Sequence, residues 1–332
     1  MSTLELARNP HSKGNFMKIV FLDRKTVGED LDFSEFSGLG EFVCYDYSAP
    51  EEIPERIKDA DAVITNKCFL LKDVIKDAGK LKIILLTATG TNTIDKDYLE
   101  SRGIAWRNVT DYSTDSVAQH TFALLFFLLE NLSYYDDYVK SGKYVNDRSF
   151  RHFEMPYRQL SKMTWGIIGL GAIGKRVADI AKCFGCRVIY YSTSGLNHNP
   201  DYQEVSLKEL LETADIVSIH APINEKTFHL INKETLSLMK NTAILLNVGR
   251  GPIIDEKDLA EALTEGTIGG AGLDVLSEEP MREDDPLLNI KDSSRLFITP
   301  HVAWAAKETR ELLLSRTAEN LRKFIEENEG KL

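Results

Sequence analysis

The sequence predicts an α/β fold with parallel sheets in two domains, and three observations support this prediction. The chain has 332 residues, which is too many for one ordinary core. Strand-like and helix-like segments alternate almost throughout, as they do in folds with parallel sheets. A glycine-rich turn at residues 169–174 lies between an apolar segment and an amphipathic one, which indicates that a new α/β unit begins just before it.

The composition is that of a globular protein, with 43% hydrophobic and 27% charged residues. Lys and Arg number 40 and Asp and Glu 51, which gives a formal net charge of −11. An acidic chain of this kind is a poor candidate for binding nucleic acid or an anionic membrane surface. Its longest apolar run, residues 122–129, falls far short of the roughly 18 residues of a membrane span. Neither nucleic acid nor a membrane is therefore expected as a partner.

Residues 1–16 contain no apolar segment of the kind that signal peptides carry. We interpret them as a loose extension, because the first strand begins at Met17. The 4 cysteines indicate a reducing compartment, so a cytoplasmic location is expected. Cys183 and Cys186 form a CxxC pair, which could be a redox or metal pair. Because no second pair or histidine cluster accompanies them, we interpret them as flanking a glycine turn and expect no metal site.

Several apolar segments in the first part of the chain predict strands. They read KIVFLD, EFVCYDY, DAVITN, KIILLTATG and IAWRNV. Helical segments separate most of them, and Asp95 is the expected N-cap of one. A longer helical pattern follows over residues 113–140. Its apolar part, residues 122–129, has no polar side, so we expect it to be buried on all sides, between domains or at a subunit contact.

The second α/β unit begins at Met163 and continues to a closing helix over residues 306–327. Its later segments read CRVIYYS, SLKELLETAD, IVSIHAP, AILLNVG, DEKDLAEALTEG, GAGLDV and LFITP. Ser206 and Glu209 have the spacing of a capping box at the start of a helix. Gly266 lies where a helix should end.

The segment WGIIGLGAIGKRVADIAKCFG carries the pattern G-x-G-x-x-G at Gly169, Gly171 and Gly174. The pattern alone is a weak signal, but the apolar strand before it and the amphipathic helix after it are the setting of a dinucleotide site. The first glycine permits the tight turn, the second lets the backbone approach a pyrophosphate, and the third allows close packing of helix on strand. The helix start then attracts the phosphates. This predicts a dinucleotide cofactor, which Ala172 and Ile173 would also contact.

A dinucleotide site is expected to have an acidic residue roughly 20 residues further on, to hold the adenosine ribose. The corresponding position, at the end of RVIYYS, is Ser192. Loss of the carboxylate removes the charge that repels a 2′-phosphate, but the next basic side chain is only Lys208. The sequence therefore favours NAD and permits NADP.

The segments NVGRGPIIDE, GLDVLSEEP and TPHVAW each follow a strand of the second unit, at the sheet edge where such folds bind ligands. They contain Arg250, Glu279 and His301. Hydride transfer to a 2-oxo acid needs a cation for the carboxylate, an acid for the carbonyl oxygen, and a carboxylate that orients the acid. Alone, each residue would be interpreted as a surface ion pair, a solvated charge or a helix cap. Together, beside a nucleotide fold, they predict a catalytic set.

The motifs GIIGLGAIGKRVADIAKCFG, NVGRG, AGLDV…EEP and TPHVAW resemble those of the D-isomer-specific 2-hydroxyacid dehydrogenases, and the resemblance covers essentially the whole chain after Met17. It implies two doubly wound parallel-sheet domains, a flavodoxin-like outer domain and a Rossmann inner domain, with the active site in the cleft between them. It also implies that the inner domain, residues 113–301, is inserted into an outer domain made of residues 17–112 and 302–332.

The same resemblance implies an NAD(P)-dependent enzyme, usually a homodimer, and assigns roles to single residues. Arg250 binds the substrate, His301 is the acid and base, and Glu279 is the partner of the histidine. The other implied contacts are Thr89 and Gly90 for the substrate carboxylate, Asp274 for the nicotinamide carboxamide, and Ala221, Pro222, Thr227, Asn247, Val248 and Gly249, with Arg250 and His301, for the rest of the cofactor.

Two details of the resemblance narrow the substrate. The segment from His301 to Trp304 resembles the glycerate dehydrogenase (hydroxypyruvate reductase) branch, although Trp304 could also serve packing alone. The segment TNKCFL, with Asn66 and Lys67, resembles the substrate loop of the same branch. We therefore expect reduction of hydroxypyruvate to D-glycerate. One alternative is another small 2-oxo acid, such as glyoxylate, pyruvate or a branched 2-oxo acid. The other is an NAD(H)-responsive corepressor, against which the lack of a long disordered tail argues.

Overall fold

The computed structural model describes residues 4–5 and 17–328. The chain forms two compact units. The second unit is the stretch Thr114–Trp304, and the first unit consists of the chain before and after it. The predicted boundaries put Ser113 in the inner domain and residues 302–304 in the outer domain. In the structure Ser113 belongs to the first unit and residues 302–304 belong to the second.

Strands and helices alternate along both units, as predicted. The strands are β1 (Leu4–Glu5), β2 (Lys18–Phe21), β3 (Glu41–Cys44), β4 (Ala62–Thr65), β5 (Ile83–Leu86), β6 (Ala105–Arg107), β7 (Thr164–Ile168), β8 (Arg187–Tyr191), β9 (Gln203–Glu204), β10 (Ile216–Ile219), β11 (Ile244–Asn247), β12 (Gly270–Leu273) and β13 (Leu296–Ile298). The α-helices are α1 (Ser34–Ser37), α2 (Ile53–Ile57), α3 (Lys72–Ile75), α4 (Lys96–Ser101), α5 (Thr114–Leu129), α6 (Leu132–Lys140), α7 (Ala172–Cys183), α8 (Leu207–Thr213), α9 (Lys233–Leu236), α10 (Glu256–Glu265) and α11 (Lys307–Glu327). Short 3-10 helices lie at Arg24–Thr26, Lys143–Asn146, Leu160–Lys162, Gly251–Ile253 and Pro286–Asn289.

The sheet of the first unit has a parallel core. Strands β3, β2, β4, β5 and β6 lie side by side in that order. This is the 2-1-3-4-5 order of flavodoxin-like folds. All residues of β4 and β5 are buried, as expected where parallel strands are covered on both faces. The flavodoxin-like prediction is confirmed.

Strand β1 pairs antiparallel with β3 and covers the edge of this sheet. It lies within the leader that we interpreted as loose, so that interpretation is wrong for residues 4–5. An open edge would otherwise present unpaired backbone groups of β3, which explains why even a short strand is useful there. Residues 1–3 and 6–16 lie outside the described part of the chain.

The sheet of the second unit is parallel throughout, in the order β13, β12, β11, β10, β7, β8, β9. Counted within the unit, the strands from β9 to β12 follow the Rossmann order 3-2-1-4-5-6, with β13 added at the edge. The winding reverses between β7 and β10. Ligands of such folds bind beyond the carboxyl ends of the strands at this point, and the predicted dinucleotide turn begins there.

Helix ends follow several of the predicted capping residues. Asp95 caps α4 with its side chain, and Gly266 ends α10 with a left-handed backbone at φ +77°. The hydroxyl of Ser206 accepts the N–H of Glu209 at the start of α8. The reciprocal bond of a full capping box is not found at that helix among the described contacts.

The helical pattern predicted over residues 113–140 forms two helices, α5 and α6. Asn131 lies between them in a left-handed conformation, at φ +52°, which interrupts the helix. Helix α5 packs on the sheet of the second unit. In the single chain Ala123 is exposed and Phe126 is half-buried. Burial of the apolar part on all sides at a subunit contact therefore stays a prediction.

All four cysteines are free thiols. Cys183 is exposed at the end of α7, and Cys186 is buried just before β8. Between them Gly185 has φ +83°, so the pair flanks a glycine turn. Within the described ranges, no group of three or more His, Cys, Asp or Glu side chains is placed to hold a metal. None of the helices in those ranges has the length and apolar character needed to cross a bilayer.

Candidate active site

The glycine-rich turn follows directly on β7. Gly169 has φ +91°, a conformation that favours glycine. A β-carbon placed there would lie 3.0 Å from the backbone nitrogen of Ala221. A β-carbon on Gly174 would overlap the carbonyl oxygen of Gly169. The close packing of α7 and of the segment after β10 around the end of β7 therefore requires both glycines.

Gly171 has a different environment. It is the N-cap of the 12-residue helix α7, and a β-carbon placed on it would meet no described atom within 4 Å. Ala172 is exposed and Ile173 is half-buried beside it. The start of α7 is thus open to a ligand, and its free N–H groups and partial positive charge fit the pyrophosphate of a dinucleotide.

Gly171→Ala and Gly174→Ala are expected to fail in different ways. Gly171→Ala should keep the free energy of unfolding within about 1 kcal/mol of the wild type, because no described protein atom lies near the new methyl group. It should weaken NADH binding about tenfold or more, because the methyl group blocks the approach of a pyrophosphate. Gly174→Ala should lower the free energy of unfolding by about 1–3 kcal/mol, because a backbone carbonyl must move. Urea unfolding and NADH fluorescence titration measure the two effects. Equal destabilisation by both substitutions would contradict this assignment.

Ser192 follows β8 at the position where an acidic residue was expected. Its side chain is buried, and its hydroxyl has no hydrogen-bond partner in the described part of the chain. A buried polar group without a partner is unfavourable, so a ligand that binds this hydroxyl is favoured. A ribose hydroxyl of a dinucleotide fits this requirement.

The backbones of three strand ends meet beside the glycine-rich turn. A β-carbon on Gly249 would lie 3.0 Å from the carbonyl oxygen of Ala221, the residue that also contacts Gly169. Asn247 is buried at the end of β11. Its side-chain N–H donates to the carbonyl of Arg250 at 3.0 Å, and its side-chain oxygen accepts the N–H of Gly249 at 3.1 Å. Asn247 therefore fixes the turn that carries Arg250.

Arg250 lies just beyond β11 and is half-buried. Its guanidinium Nη1 donates to the carbonyl of Gly249 at 2.7 Å. A guanidinium in this position can hold a carboxylate ligand through two parallel hydrogen bonds.

The structure brings Glu279 and His301 into direct contact. Nδ1 of His301 lies 2.6 Å from Oε2 of Glu279, whose other oxygen accepts the N–H of Leu276 at 3.0 Å. An ionised carboxylate only accepts hydrogen bonds, so Nδ1 carries the proton and Nε2 is left for a ligand. The two side chains are 27% and 33% exposed, which leaves the pair accessible.

The loops that carry Arg250 and Glu279 pack on each other at Gly251. A β-carbon on Gly251 would overlap the carbonyl group of Leu276 and the nitrogen of Ser277. Leu276 is also the residue whose N–H binds Glu279. This backbone contact therefore fixes the loop of Arg250 and the carboxylate of Glu279 relative to each other.

The loop after β13 presents His301 with a left-handed backbone, at φ +55°. The indole N–H of Trp304 donates to the carbonyl of His301 at 3.0 Å, and the ring packs against the core of the second unit. Asp274 is buried just after β12, and its carboxylate accepts the N–H groups of Val302 and Ala303 at 2.8 Å each. Both side chains thus contact the loop of His301. The implied roles of Trp304 towards substrate and of Asp274 towards the cofactor stay predictions.

The loop after β10 also holds implied cofactor contacts. Ala221 and Thr227 are buried, and Pro222 is exposed. The hydroxyl of Thr227 donates to the carbonyl of Pro222 at 2.8 Å and accepts the N–H of Asn224 at 2.8 Å. Its side chain therefore closes this loop on itself. Val248, beyond β11, is buried in the core, and its role towards a cofactor stays a prediction too.

In the first unit, the implied substrate residues lie at the carboxyl edge of the sheet. Lys67 is exposed just after β4. Thr89 is exposed and Gly90 is half-buried after β5, and the Thr89 hydroxyl donates to a backbone carbonyl at 3.0 Å. Asn66 is buried, and its side-chain oxygen has no partner among the residues that the structure describes.

Asp23, which the sequence analysis did not single out, holds the loop after β4. Its buried carboxylate accepts the N–H groups of Asn66, Lys67 and Cys68 at 3.0, 2.7 and 3.3 Å. The hydroxyl of Thr65 donates to it as well, at 3.1 Å. Burial raises the pKa of Asp23, and these donors act against that rise. The one sequence signal for this role of Asp23 is its position directly after an apolar strand-like segment.

His220, at the end of β10, was also not singled out. Its Nδ1 is buried and has no partner among the described residues. Its Nε2 lies 3.0 Å from the hydroxyl of Ser218, which accepts the indole N–H of Trp165. Burial lowers the pKa of His220 from 6.5 to about 3. The ring is therefore neutral in the folded protein near neutral pH.

Stability is expected to fall as the pH drops below about 6.5, because the unfolded chain then binds a proton on His220 that the folded chain does not bind until about pH 3. The loss from this residue reaches about 1 kcal/mol near pH 5.5. His220→Asn should remove this part of the pH dependence. His198→Asn, which removes an exposed ring paired with Glu204 at 2.7 Å, should not. Urea unfolding at about pH 6.5 and about pH 5.5 tests this. If the free energy of unfolding of His220→Asn changed with pH in parallel with that of the wild type, the prediction would be contradicted.

Comparison with known proteins places this chain in a family. Residues 122–303 match the family model described as "D-isomer specific 2-hydroxyacid dehydrogenase, NAD binding domain". A hydroxypyruvate reductase of Blautia hydrogenotrophica is 36% identical over 315 residues, which are 93% of this chain and 97% of the relative. A glyoxylate reductase of Korarchaeum cryptofilum is 39% identical over 280 residues, 82% of each chain. The structure of a D-lactate dehydrogenase of Aquifex aeolicus, complexed with NAD and lactic acid, is 27% identical with a TM-score of 0.80 and matches 95% of this chain and 97% of that one.

The chain therefore belongs to the D-isomer-specific 2-hydroxyacid dehydrogenases. It is an NAD-dependent oxidoreductase of that family, and residues 122–303 lie in its NAD-binding domain. The predicted family, fold class, cofactor and type of reaction are confirmed.

Proposed function

We propose that this enzyme catalyses the reversible reduction of hydroxypyruvate to D-glycerate with NADH. The observation that carries the proposal is the contact of 2.6 Å between His301 and Glu279, on the same sheet edge as Arg250. This arrangement supplies an acid, its orienting carboxylate and a cation for a carboxylate substrate. The hydroxypyruvate reductase among the relatives supports the choice of substrate.

His301 acts as the acid of the reduction and the base of the reverse reaction. Glu279 holds the proton on Nδ1 and favours the imidazolium form, in which Nε2 carries a second proton and gives it to the carbonyl oxygen of the 2-oxo acid. Arg250 holds the substrate carboxylate through paired hydrogen bonds and draws electron density from the adjacent carbonyl group. When bound, the nicotinamide supplies hydride to the carbonyl carbon.

Residues of the first unit extend the substrate contacts in this proposal. Thr89 and Gly90 bind the carboxylate through their backbone N–H groups, and Lys67 adds a positive charge. Trp304 faces the substrate as an apolar surface. The exposure of Thr89 and Lys67 supports such a role.

The cofactor would be held by the start of α7 at Gly171, by Ser192 at the ribose, and by the loops after β10 and β11. The residues of those loops are Ala221, Pro222, Thr227, Asn247, Val248 and Gly249. NAD is preferred because Ser192 offers a hydroxyl to a ribose, and the segment from Ser192 to Lys208 has no Lys or Arg before its end that could attract a 2′-phosphate.

The initial rate of NADH oxidation with hydroxypyruvate tests the proposal. Turnover with NADH that is at least about tenfold faster than with NADPH supports both the substrate and the preference for NAD. Turnover with NADPH alone would keep the chemistry and overturn the cofactor preference. No turnover with either cofactor would overturn hydroxypyruvate as the substrate.

Glyoxylate is the second candidate substrate, because a relative that is 39% identical is a glyoxylate reductase. Hydroxypyruvate carries a hydroxymethyl group where glyoxylate carries hydrogen, so the two differ only at the side of the substrate away from the carboxylate. A higher kcat/KM for glyoxylate than for hydroxypyruvate would make it the principal substrate. Pyruvate and a branched 2-oxo acid serve as the controls for side-chain size.

The enzyme is proposed to act as a homodimer. Exposed aromatic side chains on the segment after α6 support this: Phe150 is 78% exposed and Phe153 is 73% exposed. Apolar groups gathered in this way mark an interaction surface. Phe150→Ser combined with Phe153→Ser should shift the sedimentation coefficient from dimer to monomer. Tyr47→Ser, which removes an exposed ring from the first unit, should not.

A cytoplasmic location is proposed as well. The four free thiols support it, because such thiols persist in a reducing compartment. Fractionation of the native cells, with antibody detection, tests it, and recovery of the enzyme outside the cytoplasm would contradict it.

A further inference from the structure

The loop of His301 holds an unfavourable backbone conformation. His301 has φ +55°, where a side chain other than glycine is uncommon and strained. Such a conformation persists only when neighbouring groups fix it. The groups that fix this loop therefore determine where the imidazole lies.

Asp274 is the first of these groups. Its backbone carbonyl accepts the N–H of His301 at 2.8 Å. Its two carboxylate oxygens accept the N–H groups of Val302 and Ala303, each at 2.8 Å. Three consecutive N–H groups are thus bound by one buried residue, so any rotation of the Asp274 side chain would release two of them.

The orientation of this carboxylate is set by a chain of two further side chains. The hydroxyl of Thr299 lies 2.6 Å from Oδ1 of Asp274 and must donate to it, because an ionised carboxylate has no proton to give. A hydroxyl has one proton, so Thr299 can only accept from Nε2 of His120, at 2.9 Å. Nε2 of His120 therefore carries a proton, and it also lies 3.5 Å from Oδ1 of Asp274.

Helix α5 supplies a second anchor. The hydroxyl of Ser116 donates to the carbonyl of Ala303 at 2.5 Å. Ser116 and His120 are one turn apart on the helix and so lie on the same face. Helix α5 thus binds the loop of His301 at two points, one of them through Thr299.

We propose that Thr299 and His120 are positioning residues for the reaction: the chain from His120 through Thr299 to Asp274 holds the loop of His301 in its left-handed conformation. The proposal rests on the role of His301 in the proposed function. It adds residues that touch neither substrate nor cofactor and act through the backbone of residues 301–303. None of the three motifs that carry Arg250, Glu279 and His301 points to helix α5.

Thr299→Val and Thr299→Ser form the matched pair that tests this. Valine keeps the shape of threonine and removes the hydroxyl, whereas serine keeps the hydroxyl. Thr299→Val should lower kcat about 10- to 100-fold, the effect of a displacement of the acid by about 1 Å or less. It should change the KM for NADH far less than kcat, because the start of α7, Ser192 and the loops after β10 and β11 are not displaced. Thr299→Ser should restore most of kcat.

Amide hydrogen exchange of the wild type and both variants provides a readout without turnover. In Thr299→Val, the N–H groups of Val302 and Ala303 should exchange about tenfold faster or more, while those of β7 exchange as in the wild type. His120→Leu should behave like Thr299→Val, and His120→Gln, which keeps an N–H donor, should behave closer to the wild type.

Two results would overturn the proposal. One is unchanged exchange at residues 302–303 in Thr299→Val, whatever happens to kcat. The other is a raised KM for NADH with unchanged kcat, which would assign this chain of side chains to cofactor binding. If the wild type reduces no 2-oxo acid, the proposed function fails, and the exchange measurement still decides whether Thr299 and His120 hold the loop.

Discussion

His301→Asn is expected to lower kcat/KM by about a hundredfold to ten-thousandfold. Asparagine keeps a polar side chain near Glu279 but has no group that can give up a proton at neutral pH. The carbonyl oxygen of the substrate then has to take its proton from water. The binding of NADH should weaken far less than kcat/KM, because the start of α7 and Ser192, which would hold the pyrophosphate and the ribose, do not involve His301.

The control for this substitution is a second histidine–carboxylate pair in the same unit. His198 lies 2.7 Å from Glu204 on the surface after β8, and His198→Asn should leave kcat near the wild-type value. Glu279→Gln completes the set. It keeps a hydrogen-bond acceptor for Nδ1 but removes the charge, so its kcat should fall less than that of His301→Asn. Near-normal turnover of His301→Asn would remove His301 from the mechanism.

Gly251→Ala is expected to lower the free energy of unfolding by about 3 kcal/mol and to abolish most activity. The new β-carbon would overlap backbone atoms of Leu276 and Ser277 rather than a flexible side chain. The loop of Arg250 would have to move away from Leu276, and Leu276 holds the carboxylate of Glu279. Stability and catalysis therefore depend on the same contact.

Gly79→Ala is the matched control, because a β-carbon on Gly79 would meet nothing within 4 Å. Its stability should stay within about 1 kcal/mol of the wild type. Urea unfolding and the rate with hydroxypyruvate are the two measurements. A Gly251→Ala variant that is both as stable and as active as Gly79→Ala would show that the two loops can separate without loss.

The sequence was sufficient for those parts of the site that follow directly on strands. Arg250, Glu279 and His301 each come shortly after an apolar segment, and parallel strands bring such positions to one edge. The spacing of Gly169, Gly171 and Gly174 likewise encodes local demands on turn and packing, so their environments could be foreseen. The contact between Glu279 and His301 links neighbouring strands, β12 and β13.

Other parts depend on contacts that a linear pattern does not contain. His120 and Thr299 are 179 positions apart in the chain. Thr299 opens the segment TPHVAW, but nothing in that segment points to His120. The break of the predicted long helix at Asn131 depends on a single left-handed residue without a glycine or proline nearby to signal it. The pairing of β1 with β3 depends on the open edge of a sheet whose strand order is not written in the sequence.

The hydrogen bond between Ser116 and Ala303 also bears on how the second unit is connected to the rest of the chain. Ser116 lies at the beginning of the second unit and Ala303 at its end, so the two places where the polypeptide enters and leaves this unit are adjacent. A domain whose two ends lie close together can be inserted into another chain or deleted from it, because a short linker is enough to join the flanking segments. The two ends of the second unit are thus joined by a hydrogen bond within the unit itself.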